Sequence, residues 1–466
     1  MKLVNKQTLI YLFKKFFTLM ILILSIINVK LPMFTFIANS GYIYMYVSEI
    51  IMFILILFFI YKVIKKDYLL NDKEKKLLYI IIAFLIFYVI LTFFRYILNY
   101  NFKDSIFALK ISIFPVFLFY IPRFLKIDKY DIIMNLIFFH FIINIFQIQY
   151  FQNIRFSPFL ENIMIYLTVS ISLICINFYA LFNLKKNKYL CIKYFVLIFN
   201  IIFSMICVFF SGSRISIFAL FLLVFFSIIY LLFFNWKFAG VTFGLFAVSF
   251  ALAIIIPTYN KSVISNLDRA IGFKNIFVYS KTETKDEQLK DLDLVKNDDN
   301  IDISKPINDD NIDISKPIND GNYGDVKYDD DFTKNERIKS DNIRKYLIKC
   351  AINNIKRSPI IGYGTYTFEY NDGGGIKYQS AHNFILEYLC LYGIIGTLIY
   401  SLIAIFLIKN YIFKEFEHIK FFIAISLFLI LIHSLVQPTM LNVIVVYTFW
   451  SLLSLLCFSK ENNLVS

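Results

Sequence analysis

The sequence predicts an all-α polytopic membrane protein of about twelve transmembrane helices, with a long extracytoplasmic loop between the ninth and tenth. Three observations predict it. Hydrophobic residues make up 59% of the 466 positions and charged ones 17%, against roughly 45–50% and 25% in soluble domains. The apolar residues come in runs of about 20, the length an α-helix needs to cross the hydrocarbon core. Lysine and arginine are abundant in alternate connecting segments and scarce in the others, the pattern of a chain that crosses a membrane repeatedly.

The runs place spans at about 10–28, 42–61, 77–95, 105–121, 131–150, 160–182, 194–210, 214–233, 238–256, 384–408, 421–436 and 441–458. Lys2, Lys6, Lys14 and Lys15 open the chain like the charged region of a signal peptide, but no small-residue cleavage pattern follows, so an uncleaved first span is expected. The segments on the N-terminal side of the membrane carry 22 Lys and Arg, and the short segments on the other side carry five: Lys30, Arg95, Lys103, Arg155 and Arg214. The positive-inside rule then puts both termini in the cytoplasm and 257–383 outside, as expected for a bacterial cytoplasmic membrane protein. Four regions follow: spans one to six over 1–194, spans seven to nine over 195–256, the outer loop over 257–383, and spans ten to twelve over 384–466.

The formal net charge of +14 belongs to the inner segments, which face anionic lipid headgroups. The outer loop holds 19 Lys and Arg against 21 Asp and Glu, so no nucleic-acid surface is indicated. Six cysteines, Cys175, Cys191, Cys207, Cys350, Cys390 and Cys457, have no metal or disulfide spacing and read as small apolar fillers.

Within the loop, DDNIDISKPIN occurs at 298–308 and again at 309–319. The surrounding 281–341 is rich in Asp, Asn and Lys and too poor in apolar residues to offset its ordering entropy, so a disordered insertion is expected. Asp329, Asp330 and Asp331 read as solvated, and no metal or cofactor is called for. After the insertion, Ile343, Leu347, Ala351 and Ile355 recur four apart, which predicts an amphipathic helix over 341–357 with Asp341 as N-cap. Ser358-Pro359 ends it, and GYGTYTFEYNDGGG over 362–375 reads as a glycine-punctuated loop.

Ionisable and polar residues within spans are costly and usually face a cavity or a partner. Glu49 and Lys110 fall in the outer parts of spans two and four, where they could pair. Glu161 opens span six, His433 ends span eleven before Gln437, and Arg214 begins span eight. His140, Asn144 and Gln147 share one helical face directed toward the outer end of span five. This outer bias suits an enzyme acting on a lipid-anchored substrate better than a transporter, whose site would lie near the midplane.

Three stretches together resemble the O-antigen ligase / O-antigen polymerase family of bacterial surface-polysaccharide enzymes: FFSGSR at 209–214, RKYLIKCAINNIKRSPIIGYG at 344–364 and AHNFILEYLCLYGIIG at 381–396. The chain departs from the pattern at Ile348, where the family usually has Trp, at Leu391, where an acidic residue often stands, and in the 281–341 insertion. The resemblance implies transfer of a glycan from an undecaprenyl-diphosphate-linked oligosaccharide to a sugar hydroxyl at the outer membrane face, without metal. The acceptor would be another lipid-linked repeat (a polymerase, the favoured reading) or a lipid A core sugar (a ligase). Arg214 and Arg344 are the candidate diphosphate ligands, since guanidinium binds phosphate oxygens in bidentate fashion. His382 is the candidate general base, since imidazole exchanges a proton near neutral pH, and Asn383 would orient it or the sugar. Glu49, Lys110, Glu161 and His433 are candidate supporting residues. Gly393 and Gly396 would allow close helix packing in span ten. A lipid-linked-oligosaccharide flippase and a non-catalytic membrane scaffold are the alternatives from other classes.

Overall fold

The computed structural model describes residues 6–27, 34–38, 41–45, 47–66, 70–97, 114–148, 163–183, 190–211, 213–255, 330–365, 367–371, 376–412, 417–436 and 442–456. Helix α1 (Lys6–Ile27) precedes a hairpin of β1 (Phe34–Ala38) and β2 (Gly41–Met45), followed by α2 (Val47–Ile64) and α3 (Asp72–Ile97). A 3-10 turn at Pro115–Phe119 leads into the short α4 (Ile121–Phe124). Next come α5 (Lys129–Ile148), α6 (Ile163–Asn183), α7 (Leu190–Phe210), α8 (Arg214–Phe234) and α9 (Trp236–Ile255). The C-terminal part holds α10 (Asp330–Arg357), a hairpin of β3 (Thr367–Asn371) and β4 (Ile376–Ser380), α11 (Phe384–Leu407), α12 (His418–Ser434) and α13 (Val443–Leu455).

Among the described residues, seven helices are long and apolar enough to cross a membrane: α3, α5 to α9 and α11; α12 and α13 are shorter apolar helices. A lipid-facing chain must satisfy its backbone groups internally, which is why these Leu-, Ile- and Phe-rich runs are helical. Helix α6 is the centre of the bundle, packed by α5, α7, α8, α12 and α13, while α1 packs on α5 and α13. Several starts are capped by side chains. Asn71 and Glu74 form a reciprocal capping box at α3, each backbone N–H donating to the other's side chain at 2.9 Å. Glu74 also pairs with Arg123.

Several sequence expectations are corrected. The second span does not begin at 42: Tyr42–Met45 lies in β2, and the helix starts at Val47. The described end of the expected span 105–121 is a 3-10 turn and a four-residue helix rather than regular α-helix. Pro115 and Pro122 lie within it and lack the N–H that a continuous helix uses. Helix α10 starts at Asp330, so Asp341 is interior to it and does not cap it, and the insertion ends sooner than expected. The stretch 362–375 is not all loop, since Thr367–Asn371 pairs with Ile376–Ser380. The tandem repeat at 298–319 and residue Asp329 lie outside the described residues.

The largest correction concerns span ten. Helix α11 is two helices joined at Gly393, whose φ of 63° and ψ of −170° interrupt the hydrogen-bond ladder. Residues 358–364 fill the gap. Tyr363 and Gly364 N–H donate to the Cys390 carbonyl (2.8 and 3.0 Å), Ile394 N–H donates to Pro359 O (2.9 Å) and Ile395 N–H to Ile360 O (3.2 Å). Non-helical backbone within an apolar span is tolerated when protein groups re-satisfy it in this way. The close approach requires glycine: a Cβ on Gly362 would lie 2.5 Å from Gly393 N, and one on Gly393 would meet the Ile360 carbonyl and Gly362 N. Gly393 therefore breaks the helix to receive a loop, and does not serve helix packing. Gly396 does serve it, since a Cβ there would come within 3.3 Å of Phe87 on α3.

Candidate functional site

Five helices, α6, α8, α10, α11 and α12, meet at the end of the bundle that carries His382. Helix α8 starts at Arg214 behind the N-cap Ser213, and Arg214 is exposed. One turn on, Ser216 is buried and lies 2.8 Å from Nε2 of His433, near the end of α12. Nδ1 of His433 lies 2.7 Å from Thr168 Oγ1 on α6. Thr168 also donates to the Met164 carbonyl (2.7 Å), and Ser216 donates to Ser213 Oγ (2.9 Å). Both ring nitrogens of His433 are engaged. It is a tie between three helices, not a free proton carrier.

The end of α12 also holds the start of α11. Asn383 Nδ2 donates to the Leu435 carbonyl at 3.2 Å, and its Oδ1 caps α11 by accepting from Ile385 N (3.1 Å) and Leu386 N (3.2 Å). His382 precedes this cap with φ of 56°, a left-handed conformation uncommon for a residue with a side chain. It is half-exposed with Nδ1 buried. Helix α10 packs on the same turn through a small apolar cluster of Leu347, Ala351, Phe368, Ala381 and Cys390, with Ile343 and Leu386 at its edge. The Cys390 thiol donates to the Ala351 carbonyl (3.4 Å). Half-buried Arg344 stands next to Ile343 on α10. Arg214, His433, Asn383 and His382 are thus joined through α12, and Arg344 rides on the helix packed above His382.

The other expected residues are less connected. Glu49 is buried in the first turn of α2, within electrostatic reach of Tyr447 on α13. Lys110 and Glu161 lie outside the described residues, as does Gln437. Among the described residues, no group of three or more His, Cys, Asp and Glu side chains could hold a metal ion.

Two features were missed by sequence reasoning. Glu387, in the first turn of α11, is fully buried with neither carboxylate oxygen in hydrogen-bond geometry. The second is the extent of a polar network through the middle of the bundle, in which His140 and Asn144, named above, meet Asn177 and Asn200. Asn177 Nδ2 donates to His140 Nδ1 (2.9 Å), leaving Nε2–H to donate to Ser204 (2.8 Å). Asn200 donates to Asn177 Oδ1 and to the Ile137 carbonyl (both 3.1 Å), Asn144 donates to Asn200 Oδ1 (3.2 Å), and Tyr166 donates to Asn144 (2.7 Å). Asn177 is six residues from the end of α6, so polar residues are not confined to one end of the bundle as the sequence suggested. The available signal was the repeated appearance of Asn within apolar runs.

Apolar helices enclosing a polar junction at one end define a polytopic α-helical membrane protein with a multi-helix surface site. Residues 199–401, a little under half of the chain, match the family described as O-antigen ligase. The family implies glycan transfer of the ligase or polymerase type. The matched segment contains Arg214, Arg344, His382, Asn383 and Glu387. No curated protein and no solved structure matches the chain.

Proposed function

We propose that the protein is a metal-independent glycosyltransferase of the bacterial cytoplasmic membrane that polymerises surface polysaccharide. It would transfer a glycan from undecaprenyl diphosphate to a hydroxyl of a second lipid-linked repeat at the outer face. The observation that carries the reading is the strained, half-exposed His382 turn, tied through Asn383 to α12 and overlaid by the Arg344 helix, inside the matched family domain. In this reading His382 removes the acceptor proton as its oxygen attacks the anomeric carbon. Arg214 and Arg344 neutralise charge on the departing diphosphate, which suits guanidinium because it is always charged and can contact two oxygens at once. Asn383 orients the acceptor or the base. The bias of Lys and Arg toward one set of connecting segments supports both termini in the cytoplasm and the His382 turn outside.

Purified enzyme given an undecaprenyl-diphosphate oligosaccharide tests the reading: lipid-linked chains longer than one repeat are expected. In cells, deletion of the gene should leave single-repeat caps on the surface glycolipid. Polymer stranded on the carrier lipid would instead identify a ligase acting on lipid A core, and absence of any transfer would sink both.

A further inference from the structure

A buried carboxylate without a hydrogen-bond partner costs several kcal/mol, and ionisable groups at membrane depth are usually functional. Glu387 is such a group. It is fully buried, and it faces the Ser380 hydroxyl and the backbone of His382 and Asn383 without meeting hydrogen-bond geometry with any of them. His382, five residues earlier, holds a left-handed backbone and keeps Nδ1 buried while the residue reaches the surface. The neighbouring groups narrow the choice of partner. Tyr388 and Cys390 lie in electrostatic reach on the same helix, β4 contributes Ser380, and α12 reaches this turn through the Leu435 carbonyl. Helix α10 brings Leu347, Ala351 and Cys350, with Arg344 half-buried one turn before Leu347. On α3, Tyr88 packs further along, against Tyr392. Of these, only His382 and Arg344 can be cationic, and the backbone of His382 lies against the carboxylate.

We propose that Glu387 is a positioning residue for His382: it steadies the His382–Asn383 turn and stabilises the imidazolium formed when His382 accepts a proton. The role rests on the glycan-transfer reading above. In that step the acceptor oxygen bonds to the donor's anomeric carbon as the bond from that carbon to the diphosphate oxygen breaks. The electron pair of the broken bond leaves with undecaprenyl diphosphate. The hydroxyl proton passes to His382 and then to water. A buried acid behind a histidine base holds the ring in place and favours its charged form, as in the Ser-His-Asp triad.

The test uses the full chain in lipid nanodiscs with ¹³C-labelled histidine rings, of which there are four. The His382 signal is identified by its loss in His382→Ala. Glu387→Gln should lower the titration midpoint of His382 by about one pH unit, since a nearby opposite charge favours the charged form. Glu387→Asp, which keeps the charge, should leave it close to wild type and guards against a fold defect in the first variant. With lipid-linked repeat extracted from native membranes, Glu387→Gln should transfer at least about tenfold more slowly. Its acid limb should move to lower pH, with KM for the donor unchanged. A folded Glu387→Gln whose His382 midpoint does not move overturns the proposal, and so does a moved midpoint with wild-type transfer. The titration needs no turnover. A wild-type enzyme that fails to transfer glycan therefore overturns the function reading, while the coupling of Glu387 to His382 is judged by the midpoint.

Discussion

The network around His140 and the turn at His382 both bring polar residues to positions where an apolar chain bears a high cost for them, yet they are built in opposite ways. Around His140, both ring nitrogens are engaged, and Asn144, Asn177, Asn200, Ser204 and Tyr166 hydrogen-bond one another. Such a closed network holds three spans, α5, α6 and α7, in register and leaves nothing for a ligand. At His382 the backbone is strained, the residue reaches the surface, and the carboxylate below it meets no hydrogen bond. A histidine in a span therefore says little by itself. What distinguishes the two is exposure and backbone conformation: the His140 ring is sealed within the bundle, whereas His382 reaches the surface from a left-handed turn.

Substitutions can break this contrast. The largest effect is expected at His382: His382→Ala should reduce transfer by a factor of about 10² or more, with the protein still present in the membrane, measured as product formed per molecule of purified enzyme. Wild-type turnover in that variant would falsify the general-base role. Arg344→Ala should come close to it in effect. Arg214→Lys should lower turnover by about tenfold or more, because an ammonium lacks the guanidinium's two-pronged geometry; equal rates for the two residues would leave only a charge requirement. Gly393→Ala acts on stability instead. Its Cβ would collide with the Ile360 backbone and impose a left-handed conformation on alanine, so a loss of more than about 2 kcal/mol is expected in denaturation of the detergent-solubilised protein.

Weaker effects sharpen the contrast from the other side. His140→Leu strands the Asn177 and Ser204 side chains it bonded and should cost about 1–3 kcal/mol. Turnover per folded molecule should stay at the wild-type value; a selective loss of turnover would bring the central network into the reaction. Deleting 298–319 should change neither turnover nor folded yield. A deletion that abolishes transfer at normal expression would give the repeat a function.

The candidate site was only partly legible in the sequence. Arg214, His382 and Asn383 stood out as polar residues at the margin of an apolar run, Arg344 as a guanidinium on the amphipathic loop helix, and each falls in a recognisable motif. Glu387 did not, because an acidic residue in the first turn of a helix reads as a favourable charge at the helix dipole. Its complete burial arises only when Ser380 at the end of β4 and the His382–Asn383 turn fold against it. His433 drew notice as an isolated polar residue, but only its bonds to Thr168 and Ser216 reveal it as a tie between helices. Asn177 and Asn200 passed as single amides in apolar runs, since hydrogen bonds between spans leave no periodic mark in any one of them.

The sequence by itself determined that this chain is a helical membrane protein, where most of its helices lie, and which motifs carry Arg214, Arg344 and His382. These are matters of local composition: an apolar run of sufficient length becomes a helix in lipid whatever its neighbours do. Tertiary structure alone decided that α11 breaks at Gly393 to receive residues 358–364, that α12 ties the start of α8 to the start of α11, and that the Glu387 carboxylate is sealed beneath His382. Each of these depends on a backbone or side-chain group meeting a partner from another part of the chain. No local pattern encodes that meeting, because its free energy exists only once the helices have packed.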